Sequence, residues 1–133
     1  MEEFYIEKRV YYHDTDAGEV VYYSRYLDHL EEGRTELFRS RGLDLKVLAE
    51  QDIYFVVARV EADFKAPAEY QDLLRIYTTI DKMRTAAILC TQRVMRDSTL
   101  IMQAKITLVC IGGDFKPKPV PAEIRKALEG REM

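Results

Sequence analysis

Residues 24–41 read SRYLDHLEEGRTELFRSR, and this stretch has the apolar spacing of a helix that is buried along one side. The predicted buried side is a stripe with wider flanks: Tyr26, Leu30, Gly33 and Leu37, flanked by Leu27, Arg34 and Phe38. Ser24 is the predicted N-cap, and Gly42 the predicted stop. Because glycine inside a helix costs about 1 kcal/mol relative to alanine, Gly33 predicts close approach of another backbone. We therefore expect this helix to pack against a sheet.

The rest of the chain supplies the strands of that sheet. A short strand begins near Phe4 and is expected to end at Tyr12. From residue 54 the apolar period changes to two, which predicts long strands at about 54–65, 73–83, 87–96 and 99–111. The expected dry face of the first long strand is Tyr54, Val56, Ala58, Val60, Ala62 and Phe64. Asp44 is expected to cap a short helix ending near Gln51, and residues 121–129 are predicted to form a surface helix.

The order of these elements predicts the fold class. Strands joined by short turns pair antiparallel, because parallel strands need long crossovers. One apolar helix on one antiparallel sheet gives a two-layer α+β domain spanning residues 1–133. Such a sheet has open edges, and pairing with a second copy protects them, so we expect a homodimer.

Composition excludes several classes of protein. The net charge is −3, with 20 Lys plus Arg against 23 Asp plus Glu, which argues against a nucleic-acid-binding protein. No apolar run approaches the length that crosses a bilayer, and the acidic start Met1-Glu2-Glu3 is unlike a signal peptide, which predicts a cytoplasmic protein. Cys90 and Cys110 lie inside apolar strands without the close spacing of a metal or redox motif, so we expect buried thiols.

The segment His13-Asp14-Thr15-Asp16 is a dense polar cluster between a strand and the predicted helix. The first N–H groups of a helix lack partners and carry positive potential, so a carboxylate beside them can serve acyl transfer. Spacing alone favours the simpler interpretation, in which Asp14 and Asp16 only cap and turn the loop. A magnesium-dependent phosphatase is a further alternative, although such sites usually occur in parallel α/β folds. The second histidine, His29, is interpreted as a surface or packing residue of the helix.

Residues 10–27, VYYHDTDAGEVVYYSRYL, resemble the signature of the hotdog-fold acyl-CoA thioesterases, within the 4-hydroxybenzoyl-CoA thioesterase branch and its YbgC-like members. Residues 31–36, 55–60 and 107–111 resemble the helix, first long strand and last strand of that family. The resemblance covers residues 4–124. It implies a long central helix wrapped by a curved antiparallel sheet, in a homodimer or homotetramer.

The resemblance also implies a catalytic set. Asp16, and not Asp14, matches the catalytic carboxylate, which acts as nucleophile or general base. Tyr23 matches the residue whose backbone N–H polarises the thioester carbonyl, and Gly18 completes the set. Many YbgC-like members have histidine in place of Tyr23 and glycine in place of Glu19. Without that histidine, His13 and Tyr12 are the nearest candidates to assist Asp16, while a sister branch that uses a helical glutamate makes Glu31 and Glu32 alternative catalysts.

Other residues are candidates for substrate binding. CoA phosphates need cations, for which Lys82 and Arg84 are predicted, with Lys65, Lys116 and Lys118 as further possibilities. Tyr54 and Phe55, together with Tyr77, are candidates for the acyl pocket, although aromatic residues are more often ordinary core. The resulting hypothesis is an acyl-CoA thioesterase without metal or cofactor, CoA being part of the substrate. The main alternative is a non-catalytic module that binds acyl-CoA or acyl carriers on the same fold.

Overall fold

One long helix crosses one face of a five-stranded sheet in the computed structural model, which describes residues 3–129. The helices are α1 (Arg25–Ser40), α2 (Leu45–Glu50) and α3 (Ala122–Glu129). The strands are β1 (Tyr5–Arg9), β2 (Tyr54–Phe64), β3 (Leu73–Met83), β4 (Ala87–Arg96) and β5 (Thr99–Ile111). A 3-10 turn, Tyr12–Asp14, lies between β1 and α1. The predicted α+β class and the predicted strands therefore agree closely with the structure.

The strand order is β1-β3-β4-β5-β2, and every neighbouring pair is antiparallel. β3, β4 and β5 follow one another through short turns, as predicted. The prediction of a short turn between the first two long strands is wrong. β2 does not pair with β3; it pairs with β5, on the side of β5 that faces away from β4. Residues 65–72 make this crossing, and their length is what allows β2 to occupy an edge of the sheet.

A bulge corrects the predicted dry face of β2. The register of the β2–β5 pair shifts between Val57 and Arg59, so Ala58 has no partner and the alternation of faces reverses there. Phe55, whose partner Cys110 is buried, therefore faces the helix side, whereas Tyr54 and Val56 face the opposite side. Beyond the bulge Val60, Ala62 and Phe64 face the helix side as predicted. Most of β2 is nevertheless exposed on both faces in the single chain.

The buried side of α1 follows the predicted stripe with two differences. Tyr26, Leu30, Gly33, Leu37 and Phe38 are buried as predicted, but Leu27 is exposed and His29 is buried. A Cβ atom added to Gly33 would lie 3.0 Å from Ile76 Cγ2 and 3.2 Å from Gln92 Nε2. The prediction that another backbone approaches Gly33 is therefore wrong. Side chains of the sheet make this close approach instead.

The N-terminal strand is shorter than predicted, because β1 ends at Arg9 and Tyr12 begins the 3-10 turn. The Tyr11 N–H donates to Asp14 Oδ2 at 2.9 Å, which draws the chain out of the sheet direction. At the other end of the chain, α3 matches the predicted helix, and its Ile124 and Leu128 are buried. Gly42 has a φ of +78°, as expected for a residue that stops a helix.

Both cysteines are free and buried, as predicted. Burial raises the pKa of the Cys90 thiol to about 11. Burial also raises the pKa of Cys110. Since the thiolate is the reactive form, neither side chain is expected to react readily with thiol reagents while the chain is folded.

Replacing Asp44 with alanine is expected to lower the free energy of unfolding by about 1 kcal/mol. Asp44 Oδ1 accepts the Lys46 N–H at 2.9 Å and caps α2 as predicted. Ser24→Ala is the matched control, because Ser24 lies at the N-cap position of α1 but its side chain makes no cap hydrogen bond. Urea denaturation measures both variants, and equal losses of stability would contradict this assignment.

Candidate active site

The loop between β1 and α1 folds back on itself around Asp16. Thr15 and Val21 form an isolated antiparallel bridge, and the Asp16 N–H donates to the Val20 carbonyl at 3.0 Å. Inside this narrow loop, Asp16 Oδ1 accepts the Gly18 N–H at 2.9 Å. The Asp16 side chain is exposed. One carboxylate oxygen is thus held by the loop, while the side chain as a whole stays open to a ligand.

Asp14 has a different environment from Asp16, because its carboxylate is buried. Its Oδ2 accepts the Tyr11 N–H at 2.9 Å, and its Oδ1 lies 3.3 Å from His29 Nε2 and 3.5 Å from His13 Nε2. Burial by itself raises the pKa of Asp14, but the Tyr11 hydrogen bond and the two histidines outweigh it and lower the pKa below its usual value. Asp14 is therefore an ionised internal anchor, and the two carboxylates have separate roles.

These environments bear on the magnesium alternative. A shared metal needs both carboxylates to turn free oxygens toward one point. Asp14 already accepts bonds on both oxygens inside the protein, and Asp16 Oδ1 accepts one from the loop. Among residues 3–129, no group of three His, Cys, Asp or Glu side chains is arranged to hold a metal ion. The geometry of the loop therefore disfavours a paired-aspartate metal site.

The start of α1 offers backbone donors beside the loop. The Tyr22 N–H is occupied, since it donates to the Asp14 carbonyl at 2.9 Å. Within the described part of the chain, the N–H groups of Tyr23 and Ser24 donate no hydrogen bond. Free N–H groups at the start of a 16-residue helix can stabilise a developing negative charge. The residue predicted to supply an oxyanion donor is thus placed where such a donor is available.

Aromatic side chains surround this loop on the surface. The exposed tyrosines here are Tyr11, Tyr12, Tyr22, Tyr23 and Tyr70. The rings of Tyr22 and Tyr23 lie 4.8 Å apart, and Tyr12 packs edge-on against Tyr70 at 5.7 Å. The hydrogen bond with Tyr23 and the negative charge of Asp16 both raise the pKa of Tyr22. A substrate at Asp16 would therefore meet apolar ring faces with hydroxyl groups at their edges.

The Glu19 backbone explains why a glycine suits this loop position. Glu19 has a φ of +63°, a left-handed conformation that costs a residue with a Cβ about 1 kcal/mol or more. The Glu19 side chain also lines a shallow cavity of about 350 Å³ together with Gly18, Glu69, Tyr70 and Gln71. The departure from the family pattern noted in the sequence therefore places strain and a carboxylate beside the catalytic candidate.

Glu19→Gly is expected to raise the free energy of unfolding by up to about 1 kcal/mol, because relief of backbone strain exceeds the added entropy of glycine. Glu19→Gln is the matched control, since it removes the charge but keeps the strained backbone. Thermal unfolding at one protein concentration compares the two. A gain in the glutamine variant equal to that in the glycine variant would assign the effect to charge instead of strain.

The predicted phosphate-binding residues lie at the other end of β3 from the loop. The loop contacts the start of β3, where the Val10 N–H donates to the Asp72 carbonyl at 2.8 Å. Lys82 is near the end of this strand and Arg84 follows it, so roughly 30 Å of strand separates them from the loop. Lys82 lines a cavity of about 670 Å³ on the sheet face away from α1, beside Arg59 and Lys105. Both cations are exposed, but neither reaches Asp16 of the same chain.

The predicted acyl-pocket aromatics are also separated from Asp16. Phe55 packs against Phe38 at 5.5 Å and lines a cavity of about 80 Å³ near the far end of α1. Tyr54 faces the opposite side of the sheet. Tyr77 lies on that opposite side too, between Tyr5 at 5.2 Å and the guanidinium of Arg93 at 4.6 Å. The loop between β1 and α1 therefore carries Asp16, Gly18 and Tyr23, and the structure leaves all five substrate-binding candidates elsewhere.

Two buried polar contacts along α1, those of His29 and Gln92, were not predicted from the sequence. His29, interpreted as a surface or packing residue, is buried, and its ring also contacts the Asp14 carboxylate. Its position beside Leu30 on the buried stripe is the signal that could have found it. Gln92 is also fully buried, and its amide joins the Leu30 carbonyl, the Thr78 hydroxyl and the Arg34 guanidinium. Period-two alternation alone gave no reason to expect a polar residue there.

Comparison with known proteins assigns this arrangement to a family. The model of the thioesterase-like superfamily matches residues 10–128. The chain belongs to the thioesterase-like superfamily. The predicted hotdog fold and the predicted enzyme type, a thioesterase, are therefore confirmed. In the described part of the chain, no helix has the length and apolar character needed to span a membrane.

Individual relatives support the same assignment. The acyl-CoA thioesterase YbgC of Haemophilus influenzae is 39% identical over 121 residues, covering 90% of this chain and 89% of the relative. The acyl-CoA thioester hydrolase YbgC of Escherichia coli O6:H1 is 37% identical over 118 residues, covering 87% and 88%. The resemblance to YbgC-like proteins is therefore confirmed over nearly the whole chain.

Solved structures agree with the fold of this chain. The crystal structure of a probable thioesterase from Bartonella henselae superposes with a TM-score of 0.87 at 33% identity, covering 90% of this chain and 100% of that one. A 1,4-dihydroxy-2-naphthoyl-CoA thioesterase from Synechocystis gives a TM-score of 0.89 at 26% identity, covering 99% of both chains.

Proposed function

We propose that this protein is an acyl-CoA thioesterase in which Asp16 is the catalytic carboxylate. The observation that carries the proposal is an exposed Asp16 side chain, with Oδ1 held by the Gly18 N–H, in a loop next to the free N–H groups of Tyr23 and Ser24. The relatives named as acyl-CoA thioesterases support the substrate class. Thioester hydrolysis requires at least a nucleophile or general base and a hydrogen-bond donor to the developing oxyanion.

The proposed reaction uses these groups in one of two ways. An Asp16 oxygen attacks the thioester carbonyl, the C–S bond breaks to release CoA thiolate, and water then hydrolyses the mixed anhydride. Alternatively, water attacks the carbonyl directly while its proton passes to Asp16, and the tetrahedral intermediate then breaks its C–S bond to release CoA thiolate and the free acid. In both routes the carbonyl oxygen gains negative charge, which the Tyr23 N–H stabilises. Thiolate is a good leaving group, so neither route requires a strong acid, and we propose that no metal or cofactor takes part.

We propose that the complete site lies between two copies of the chain. Lys82 and Arg84 are too far from Asp16 of their own chain to hold the phosphates of its CoA, so they would serve the site of a second copy. β2 supports this arrangement, because it is an edge strand with exposed apolar side chains: Val56, Val57, Val60 and Phe64. Whether two or four copies assemble, and the cytoplasmic location, stay predictions.

Release of CoA from a panel of acyl-CoA thioesters tests the proposed function. Short-chain, long-chain and aromatic acyl groups belong in the panel, because the fold does not determine the acyl group. A protein-only blank corrects for Cys90 and Cys110. Catalytic turnover that rises linearly with enzyme concentration supports a thioesterase, whereas tight binding of every thioester without turnover supports the alternative of a binding module.

A further inference from the structure

A buried contact between an imidazole and a carboxylate joins the catalytic loop to α1. His29 Nε2 lies 3.3 Å from Asp14 Oδ1, and the two side chains are only 2% and 4% exposed. His29 belongs to the second turn of α1, whereas Asp14 ends the 3-10 turn that leads to Asp16. The contact therefore ties a long helix, whose buried side is part of the core, to the loop that carries Asp16.

Asp14 makes two further hydrogen bonds, one on each side of the loop that carries Asp16. Its Oδ2 holds the Tyr11 N–H at 2.9 Å and so closes the turn from which the chain runs on to Asp16. Its backbone carbonyl accepts the Tyr22 N–H at 2.9 Å and so orients the peptide that precedes the free Tyr23 N–H. Asp14 is thereby bonded both to the turn that precedes Asp16 and to the peptide that precedes Tyr23.

The surroundings of His29 indicate that this one contact is the reason for a histidine. Its Nδ1 is buried and has no hydrogen-bond partner within residues 3–129. The ring otherwise meets Tyr26 edge-on at 6.5 Å. Leaving a buried nitrogen unpaired costs on the order of 1–3 kcal/mol, which an apolar side chain at this position would avoid. In the neutral ring the hydrogen belongs on Nε2, where it faces Asp14.

We propose that His29 is a positioning residue, which acts through Asp14 to hold Asp16 and the Tyr23 N–H at their catalytic separation. This inference rests on the proposed function, since it presupposes that Asp16 and Tyr23 act on the substrate. His29 itself does not touch the reacting atoms. Misplacement of catalytic groups by about 1 Å can lower a rate by about a hundredfold, so a loosened anchor has a direct kinetic consequence.

Steady-state kinetics of His29 variants tests this proposal. His29→Leu fills the space without a donor and is expected to lower kcat by about tenfold to a hundredfold, with KM changed less than about threefold. His29→Gln places an amide N–H near the former Nε2 and is expected to restore most of the loss. His29→Asn, whose shorter amide does not reach Asp14, is expected to stay as slow as the leucine variant.

Two controls separate positioning from a general loss of structure. Asp28→Asn changes the preceding residue of α1, whose exposed side chain pairs with Arg25 at 3.1 Å, and is expected to retain the wild-type kcat. In wild-type protein, ¹⁵N NMR of the imidazole is expected to show the hydrogen on Nε2, and Asp14→Asn is expected to change that signal. If His29→Leu does not fold, the comparison of the glutamine and asparagine variants decides.

The proposal would be overturned by a folded leucine variant with wild-type kcat, or by glutamine and asparagine variants that are equally slow. It would also be overturned if Asp28→Asn lowered kcat as much as His29→Leu. Failure of the proposed function gives a different pattern. In that case Asp16→Asn would leave hydrolysis unchanged, while the NMR signal would still report the contact between His29 and Asp14.

Discussion

Asp16→Asn is expected to lower kcat for acyl-CoA hydrolysis by at least about a hundredfold, because the amide can neither attack the thioester nor accept a proton from water. The fold should be unaffected, since Asp16 is exposed and the amide oxygen can still accept the Gly18 N–H that Oδ1 accepts at 2.9 Å. CoA release measured with the best thioester of the panel gives both constants. We expect KM to change little, because in the proposed site residues other than Asp16 hold the phosphates and the acyl group.

Glu19→Gln is the matched control for Asp16→Asn, since it replaces a carboxylate with an amide in the same loop. With an uncharged acyl group, its kcat is expected to stay within about threefold of wild type, because Glu19 is not among the proposed catalytic groups. Equal rates for wild type and Asp16→Asn would remove Asp16 from the mechanism. A hundredfold loss in the Glu19 variant would instead indicate that the loop as a whole depends on its negative charge.

Gln92→Leu is expected to lower the free energy of unfolding by about 2–4 kcal/mol, because one apolar side chain leaves several buried polar groups without partners. Gln92 Nε2 donates to the Leu30 carbonyl and the Thr78 hydroxyl, both at 2.9 Å, and its Oε1 accepts from Arg34 at 3.0 Å. Burial lowers the pKa of the Arg34 guanidinium, and the described residues place no carboxylate within ion-pair distance of it. Among the described residues, Gln92 Oε1 is therefore the hydrogen-bond acceptor of this half-buried guanidinium.

Thermal unfolding at fixed protein concentration measures this loss, which corresponds to a fall in Tm of roughly 10 °C. Gln103→Leu is the matched control, because Gln103 is half-buried on β5 and its side chain makes no hydrogen bond within the described residues. We expect a change within about 0.5 kcal/mol for the control. In the double variant Arg34→Met with Gln92→Leu, the loss should be smaller than the sum of the single losses, since both partners are then removed. Strict additivity would contradict a direct coupling.

The spacing of apolar residues predicted the helices and strands of this fold, because that spacing depends only on the residues within each short segment. The apolar stripe of residues 24–41 predicted α1 to within one residue at each end, and period-two alternation predicted β3, β4 and β5 with the bounds that the structure gives. β2 shows the limit of such patterns. Its alternation looked continuous through Ala58, yet the bulge that reverses the faces depends on the register with β5, a distant segment.

The partner of each strand was likewise beyond local information. Residues 65–72 were expected to be a short turn, although they carry the chain to the other edge of the sheet. The choice between these outcomes depends on which pairing buries more of the sheet against α1, and that is a property of the whole core. The separation of Lys82 and Arg84 from Asp16 is also a tertiary feature, because the loop contacts the start of β3 and both cations lie at its other end.

The candidate site divides in the same way. The sequence by itself determined the family, the α+β class and the loop that carries Asp16, because the polar cluster, the helix stripe and the family signature are all contiguous in the chain. Only the tertiary structure decided that Asp14 is buried against His29 while Asp16 is exposed, because burial depends on how the loop packs on a helix that follows it. Two aspartates in one short motif thus acquire different roles from their surroundings, and no spacing rule distinguishes them.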